Sequence, residues 1–194
     1  MERRDLRQKM LEIRKSVPSS KINETSEEIC EVFRELDLFK NAKKIATYAA
    51  CNGEIDPSFL QPSDGKVFLF PVSQKNGLLK FMQPFGDLIK GSFGIPEPET
   101  GIERKVSEID LVIVPLVAAD PCCNRLGHGA GYYDKTFASD RISKCPPLVG
   151  LAYDFQIVNK LEVNSWDIPL DVLITESRVF FSEMSHPRVP MGEY

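Results

Sequence analysis

Histidine occurs twice in this 194-residue chain and cysteine five times, with no CxxC pair among them. An odd number of thiols, with Cys122 and Cys123 adjacent, suits neither a disulfide framework nor a zinc site. The expectation is a reducing, cytoplasmic setting with structural or incidental thiols. No apolar run approaches the roughly 20 residues that span a bilayer. The opening MERRDLRQKMLEIRK lacks the apolar segment of a secretory leader. No Ser-His-Asp arrangement can be identified. A net charge of −4 leaves no overall basic footprint for nucleic acid or an anionic membrane. What is present is 42% hydrophobic and 27% charged residues, an ordinary composition on a chain long enough for a sizeable core.

Leu6, Met10, Ile13 and Val17 share one helical stripe, so the N-terminus reads as an amphipathic helix ended by Pro18. Ser19 or Ser20 can cap a second helix, with Ile22, Ile29, Val32, Phe33 and Leu36 as its apolar face. Short apolar runs then read as buried strands at 44–50, 67–72, 78–82, 111–118, 148–153, 172–175 and 178–181. Several intervals between them are long enough for a helix. The expected fold is α/β: a mostly parallel central sheet with helices on both faces, in a single Rossmann-like domain over 1–194. The stretch from Pro84 to Gly101 reads as a long loop, and the end from about residue 183 as a loose tail.

RLGHGAGYYDKTF, from Arg125 to Phe137, sets glycines at 127, 129 and 131 just before a segment able to start a helix. Glycine tolerates positive φ and lets a ligand approach the backbone. LVIVPLVA (111–118) precedes it, apolar throughout as a central parallel strand should be. Strand, glycine loop and helix in that order fit phosphate binding at the carboxyl end of a sheet. There is no GK[ST], and the glycine spacing is not the dinucleotide fingerprint. A glycine-rich surface turn is the competing reading.

The longer string D-x-x-x-N-R-L-G-x-G-x-G-Y-Y-D, Asp120 to Asp134, resembles the signature of the 5-formyltetrahydrofolate cyclo-ligase family. RRDLRQKMLEIR, YAACNGEIDP, GSFGIPEP, IDLVIVPLVAAD and VGLAYDFQIV…WDIPLDVLITES resemble further blocks of that family, in order and over nearly the whole chain. The resemblance implies ATP-dependent conversion of 5-formyltetrahydrofolate to 5,10-methenyltetrahydrofolate, releasing ADP and phosphate through a phosphorylated formyl group. ATP would be co-substrate and Mg²⁺ the metal, with a monomer and no nucleic-acid or membrane partner expected. Such chemistry needs alignment and charge stabilisation rather than a nucleophilic triad. A sugar-phosphate isomerase or CoA-transferase relative, and a non-catalytic folate- or nucleotide-binding protein, are the alternatives.

By the same resemblance, Arg3, Arg4, Asp5, Leu6 and Arg7 form an ATP-contacting block, joined by Arg125, Leu126, Gly127, His128, Gly129, Ala130, Gly131, Tyr132 and Tyr133. Glu54 anchors folate, Phe93 stacks on its pteridine, and residues 128–132 line the formyl end. Arg125, Tyr132 and Asp134 are the catalytic candidates, and Asp134 with Asp167 hold Mg²⁺, Asp171 competing for the second place. The residues themselves say less. Arg3, Arg7 and Arg14 fall within about 40° on the first helix, a basic flank or a phosphate contact. Glu54 follows a strand and a turn, as either a ligand for ring N–H groups or a helix-initiating acid. Tyr132 and Tyr133, read as extended, should point in opposite directions. The family often has tyrosine or arginine at position 128 and glycine or lysine at position 130, so with His128 and Ala130 a family lysine near the terminal phosphate would be absent.

Overall fold

Leu111, Val112, Ile113 and Val114 are all fully buried, and the sheet is built around them. The computed structural model describes residues 2–91, 94–140 and 145–183. Phe93 and the segment after 183 lie outside the described residues. Three helices come first: α1 (Arg3–Lys15), α2 (Ser19–Glu35) and α3 (Asp37–Asn41). The strands of the main sheet are β1 (Lys44–Ala46), β2 (Val67–Ser73), β3 (Leu79–Pro84), β6 (Gly101–Arg104), β7 (Leu111–Val114), β10 (Leu148–Leu151), β11 (Val172–Ile174) and β12 (Val179–Phe181). Two small hairpins supply β4 (Leu88–Lys90) with β5 (Pro96–Pro98), and β8 (Ala118–Ala119) with β9 (Arg125–Leu126). The fourth helix, α4, is Tyr132–Asp140.

The order across the main sheet is β12-β11-β10-β7-β1-β2-β3-β6. The five inner strands from β11 to β2 run parallel, with Ile45 opposite both Leu111 and Phe68 and Val149 opposite Ile113. β12, β3 and β6 join antiparallel at the two edges. Successive side chains of a strand face opposite sides. Ile45, Leu111, Ile113, Val149 and Val172 pack with Ile29 and Phe33 of α2. Ala46, Val112, Val114, Leu148 and Leu173 pack with Phe137 of α4 on the other side. Removing a side chain such as Ile113 would cost on the order of 2–5 kcal/mol through lost burial and a cavity.

The helices depart from expectation in three ways. Neither Ser19 nor Ser20 caps α2; Pro18 holds the extended N-cap position and the serines are the first helical residues. Val32 is 40% exposed, whereas Thr25 and Ser26 are buried, because Ser26 Oγ accepts the Asp56 N–H at 2.9 Å and ties the loop after β1 to the helix. Strands and helices alternate less than their spacing implies. Among the described residues, α4 is the sole α-helix between strands of the main sheet, and Pro57–Leu60 and Asp154–Gln156 form only 3₁₀ turns. Pro57, Pro62 and Pro169 lie in those intervals, where a helix would need their missing N–H groups.

Two strand readings also change. The 111–118 run breaks after Val114, and its end reappears as β8. The supposed loop from Pro84 to Gly101 contains the β4–β5 hairpin, held by the Gly91 N–H to the Ile95 carbonyl at 2.9 Å. α1 buries Leu6 and Met10 against Val117, Ala118, Leu126 and Leu161, which seats its basic flank beside the β8–β9 hairpin. No described helix is long and apolar enough to cross a membrane.

Candidate functional site

A cavity of about 1160 Å³ opens beyond the carboxyl ends of β1, β2 and β7. Its wall takes residues from α1, the turn after β1, the edge of β2, the β4–β5 hairpin, the glycine loop, α4 and the segment around Trp166. Open α/β sheets bind ligands in this place.

The glycine loop is fixed from below. Asp120 accepts the N–H groups of Cys122 (3.0 Å) and Asn124 (3.1 Å) on one oxygen, and Asn124 Nδ2 (3.0 Å) and the Leu161 N–H (2.9 Å) on the other. This buried carboxylate closes the β8–β9 turn and aims residues 127–131 at the cavity. Arg7 Nε donates to the Gly127 carbonyl at 2.8 Å. Gly129 has φ +109°, and a β-carbon there would stand 3.7 Å from Arg7 Cζ, so the loop lies directly under that guanidinium. Burial and the charge of Arg3 lower the Arg7 pKa.

On the neighbouring wall two aspartates are each held by an arginine. Arg125, 6% exposed, donates from Nη2 to Asp134 Oδ1 at 2.6 Å, and the same oxygen accepts the Ile168 N–H at 3.1 Å. That bond draws the segment after Trp166 toward α4. Arg3 grips Asp167 with both terminal nitrogens, Nη2 to Oδ1 at 3.2 Å, and also reaches the Glu162 carbonyl at 2.8 Å. Burial pulls the Asp167 carboxyl upward, but the hydrogen bonds from Arg3 and the Asn164 N–H hold it below the usual range.

Beside the glycine loop stands Glu54, 6% exposed. Its Oε2 accepts the Cys51 N–H at 3.0 Å, and its Oε1 lies 3.5 Å from Arg14 Nη2 and 3.4 Å from His128 Nε2. Burial pushes this carboxyl up, against the opposing pull of Arg14 and the Cys51 N–H. Burial and the nearby carboxylate also push the Cys51 thiol up, to about 11. His128 is forced the other way, to about 4, by burial and by the charges of Arg14 and Arg7. Gly53, at φ +76°, makes the approach possible: a β-carbon there would be 2.7 Å from the Arg14 carbonyl oxygen.

Most of the residues expected from the sequence meet in this cavity: Arg3, Arg7, Glu54, Arg125, Gly127, His128, Gly129, Ala130, Gly131, Tyr132, Tyr133, Asp134 and Asp167 line it. Others do not. Leu6 and Leu126 point into the apolar cluster under α1, so their side chains cannot touch a ligand. Arg4 and Asp5 are exposed outside the cavity wall, 3.7 Å from one another. Helical periodicity explains this, since only residues three or four apart share a face. Asp171 is buried away from the cavity, with its Oδ2 accepting the Leu148 N–H at 2.8 Å. Tyr132 and Tyr133 begin a helix rather than extended chain, so both line the cavity. Tyr133 stacks on Phe137 with centroids 6.2 Å apart, and its buried hydroxyl has no hydrogen-bond partner among the described residues.

Wall residues that escaped the sequence reading as ligand contacts include Trp166, Glu97 and Lys135. Trp166 is 66% exposed on the rim, one residue from Asp167. Glu97, in the β4–β5 hairpin, is buried and accepts the Ser73 N–H at 3.4 Å. Lys135 folds back from the first turn of α4, and a β-carbon at Gly131 would lie 3.9 Å from its Cε. Its stem runs past the loop, and its ammonium stands by the β2–β3 turn, where a β-carbon at Gly77 would be 3.3 Å from Nζ. Arg14, placed on the basic flank by its spacing, lies beneath Glu54 instead.

Asp134 and Asp167 are hard oxygen donors on one wall, and the described residues hold no cluster of three or more His, Cys, Asp or Glu. That set fits Mg²⁺, which keeps waters and takes one or two carboxylates with substrate phosphates, better than zinc.

The fold and site define an α/β protein with a glycine loop crossed by an arginine and a buried carboxylate on one cavity. The family model for the 5-formyltetrahydrofolate cyclo-ligase family matches residues 1–176, and the chain belongs to that enzyme family. It is 35% identical to the 5-formyltetrahydrofolate cyclo-ligase of Escherichia coli (strain K12) over 148 residues, covering 72% of this chain and 81% of the relative. The cyclo-ligase of Haemophilus influenzae is 31% identical, covering 89% of this chain and 97% of the relative. The NMR structure of Aquifex aeolicus 5,10-methenyltetrahydrofolate synthetase superposes with a TM-score of 0.81 at 33% identity, covering 96% and 95% of the two chains.

Proposed function

We propose that this chain uses ATP to convert 5-formyltetrahydrofolate to 5,10-methenyltetrahydrofolate, releasing ADP and phosphate. The observation that carries this reading is that two unlike surfaces share one cavity. One has a glycine loop crossed by Arg7, with Lys135 at its end; the other has Glu54, a desolvated carboxylate. A polyphosphate suits the first wall through guanidinium and backbone N–H donors. The amino and ring N–H donors of a reduced pterin suit the second.

In this reading the formyl oxygen of the folate attacks the γ-phosphoryl group of ATP, and ADP leaves. N10 then attacks the activated carbon, the ring closes and phosphate departs. Arg7 and Lys135 hold phosphoryl oxygens, Arg125 and Tyr132 align the transferring group, and Glu54 fixes the pterin so that N10 meets the formyl carbon. Asp134 and Asp167 would hold Mg²⁺, which neutralises charge on the phosphoryl oxygens. Trp166 offers its open face to a planar ring at the rim.

The test is the appearance of the methenyl chromophore from 5-formyltetrahydrofolate with Mg·ATP. We expect it with ATP and not with ADP. No chromophore at high protein concentration would overturn the reading.

A further inference from the structure

We infer that Arg14 is a positioning residue that couples the two ligand-binding halves of the cavity, so that each substrate tightens the binding of the other. The identity of those ligands rests on the function proposed above; the coupling itself rests on geometry.

Arg14 is 1% exposed. A guanidinium taken out of water must place its N–H groups on acceptors. Nε donates to the Asn52 carbonyl at 3.1 Å, in the turn that carries Glu54. Nη1 donates to the Leu116 carbonyl at 3.0 Å, in the link between β7 and β8. Nη2 faces two side chains, His128 Nε2 at 3.1 Å and Glu54 Oε1 at 3.5 Å. One side chain of α1 therefore holds the turn after β1, the link after β7 and the glycine loop at once.

The sharing at Nη2 is what links the halves. That nitrogen carries two protons and has one acceptor for each. His128 sits in the loop expected to meet phosphate, and Glu54 is the carboxylate expected to meet the pterin. An arginine only donates, so His128 accepts through Nε2 and carries its own proton on Nδ1. The two acceptors stand 3.4 Å apart and stay together because the guanidinium lies between them. Turning Glu54 away redirects Nη2, and redirecting Nη2 releases His128 and the loop backbone. A ligand that fixes either acceptor orders the shared unit, and the second ligand then binds a site already ordered. Lysine cannot replace this arrangement, since its ammonium presents donors from one point rather than a planar fork.

A purely structural arginine would lower stability and both affinities without changing how one ligand affects the other. The experiment is calorimetric titration of the full chain with 5-formyltetrahydrofolate, and with a non-hydrolysable ATP analogue plus Mg²⁺, each alone and with the other saturating. Wild-type protein should show each ligand tightening the other by roughly 5-fold or more, within the usual range of coupling energies. In Arg14→Lys and His128→Ala that ratio should fall to about one. His128→Gln, which keeps an acceptor at the end of a side chain, should restore part of it. His128 is partly exposed, so its variants report the coupling even if Arg14→Lys fails to fold. A ratio near one in wild-type protein that binds both ligands, or an unchanged ratio in His128→Ala, would overturn the coupling alone. Wild-type protein that binds neither ligand would overturn the functional reading as well.

Discussion

Asp167 and Glu54 are both carboxylates on the wall of one cavity, and each has an arginine beside it, yet their surroundings move them in opposite directions. Arg3 gives two nitrogens to Asp167, and the Asn164 N–H adds a third donor at 2.7 Å. Those bonds outweigh burial, so Asp167 stays charged well into acid. Glu54 receives one backbone N–H, a cysteine thiol and half of an Arg14 nitrogen. Burial wins there and its carboxyl is pushed up. Deeper burial of Glu54 and the closer donors of Asp167, rather than the presence of an arginine, decide the sign. A carboxylate already satisfied by protein suits a cation or a fixed charge, and one left short of donors suits a ligand that brings N–H groups.

The largest effect expected from breaking this contrast is on the satisfied side. Asp134→Asn and Asp167→Asn keep shape and remove charge, so turnover should fall roughly 100-fold, the scale of losing one preorganised electrostatic contact, and Asp134→Asn should also lower stability because it leaves the buried Arg125 without its counter-charge. Mg²⁺ titration of the initial rate should show a raised requirement in each. The double variant should be little worse than the worse single one, because groups acting on one ion are not additive. An unchanged Mg²⁺ dependence in both would remove them from the metal's surroundings.

Glu54→Gln attacks the under-satisfied side. Folate affinity, measured without nucleotide, should fall about 10-fold or more, the cost of a charged hydrogen bond of ~1.5–3 kcal/mol. ATP affinity, measured without folate, should move little. Equal losses for both ligands would mean that Glu54 supports the fold instead.

Lys135→Met keeps the aliphatic stem over the glycine loop and removes the charge. The KM for ATP should rise several-fold while that for folate holds, consistent with one exposed cation–phosphate contact. A change confined to folate would place Lys135 at the other ligand.

The smallest effect is on stability with pH. His128 is held near 4 in the folded chain against an ordinary 6.5, so between these values the unfolded chain binds a proton that the folded chain refuses. Its contribution is present above pH about 6.5 and lost as pH falls through about 4. Glu54, displaced upward, acts in the opposite sense over an overlapping range. Denaturant midpoints across this window should therefore fall less steeply toward acid in His128→Gln than in wild type. Identical slopes would show that His128 is protonated alike in both states.

The sequence by itself determined the sheet's apolar centre and the presence of a glycine loop ahead of a helix. LVIV, LVGL and VLI are uninterrupted apolar runs, which only strands covered on both faces can bury. The glycines at 127, 129 and 131 declare a backbone that approaches something closely. Periodicity also set Arg3 and Arg7 on the same face of α1. It could not say that Arg14, on that same flank, would be buried, because burial depends on what packs above it: the Asn52–Glu54 turn, the Leu116 link and His128 come from distant parts of the chain. The choice between Asp167 and Asp171 was equally hidden. Both lie in one short segment, and only the fold turns one toward the cavity and the other to the Leu148 N–H. Lys135 was hidden too, since its stem passing Gly131 and its ammonium reaching the β2–β3 turn beside Gly77 depend on how α4 packs against the sheet. Local patterns fix which groups a segment buries or leaves free; which distant groups then answer one another's charge and hydrogen bonds is decided by tertiary packing alone.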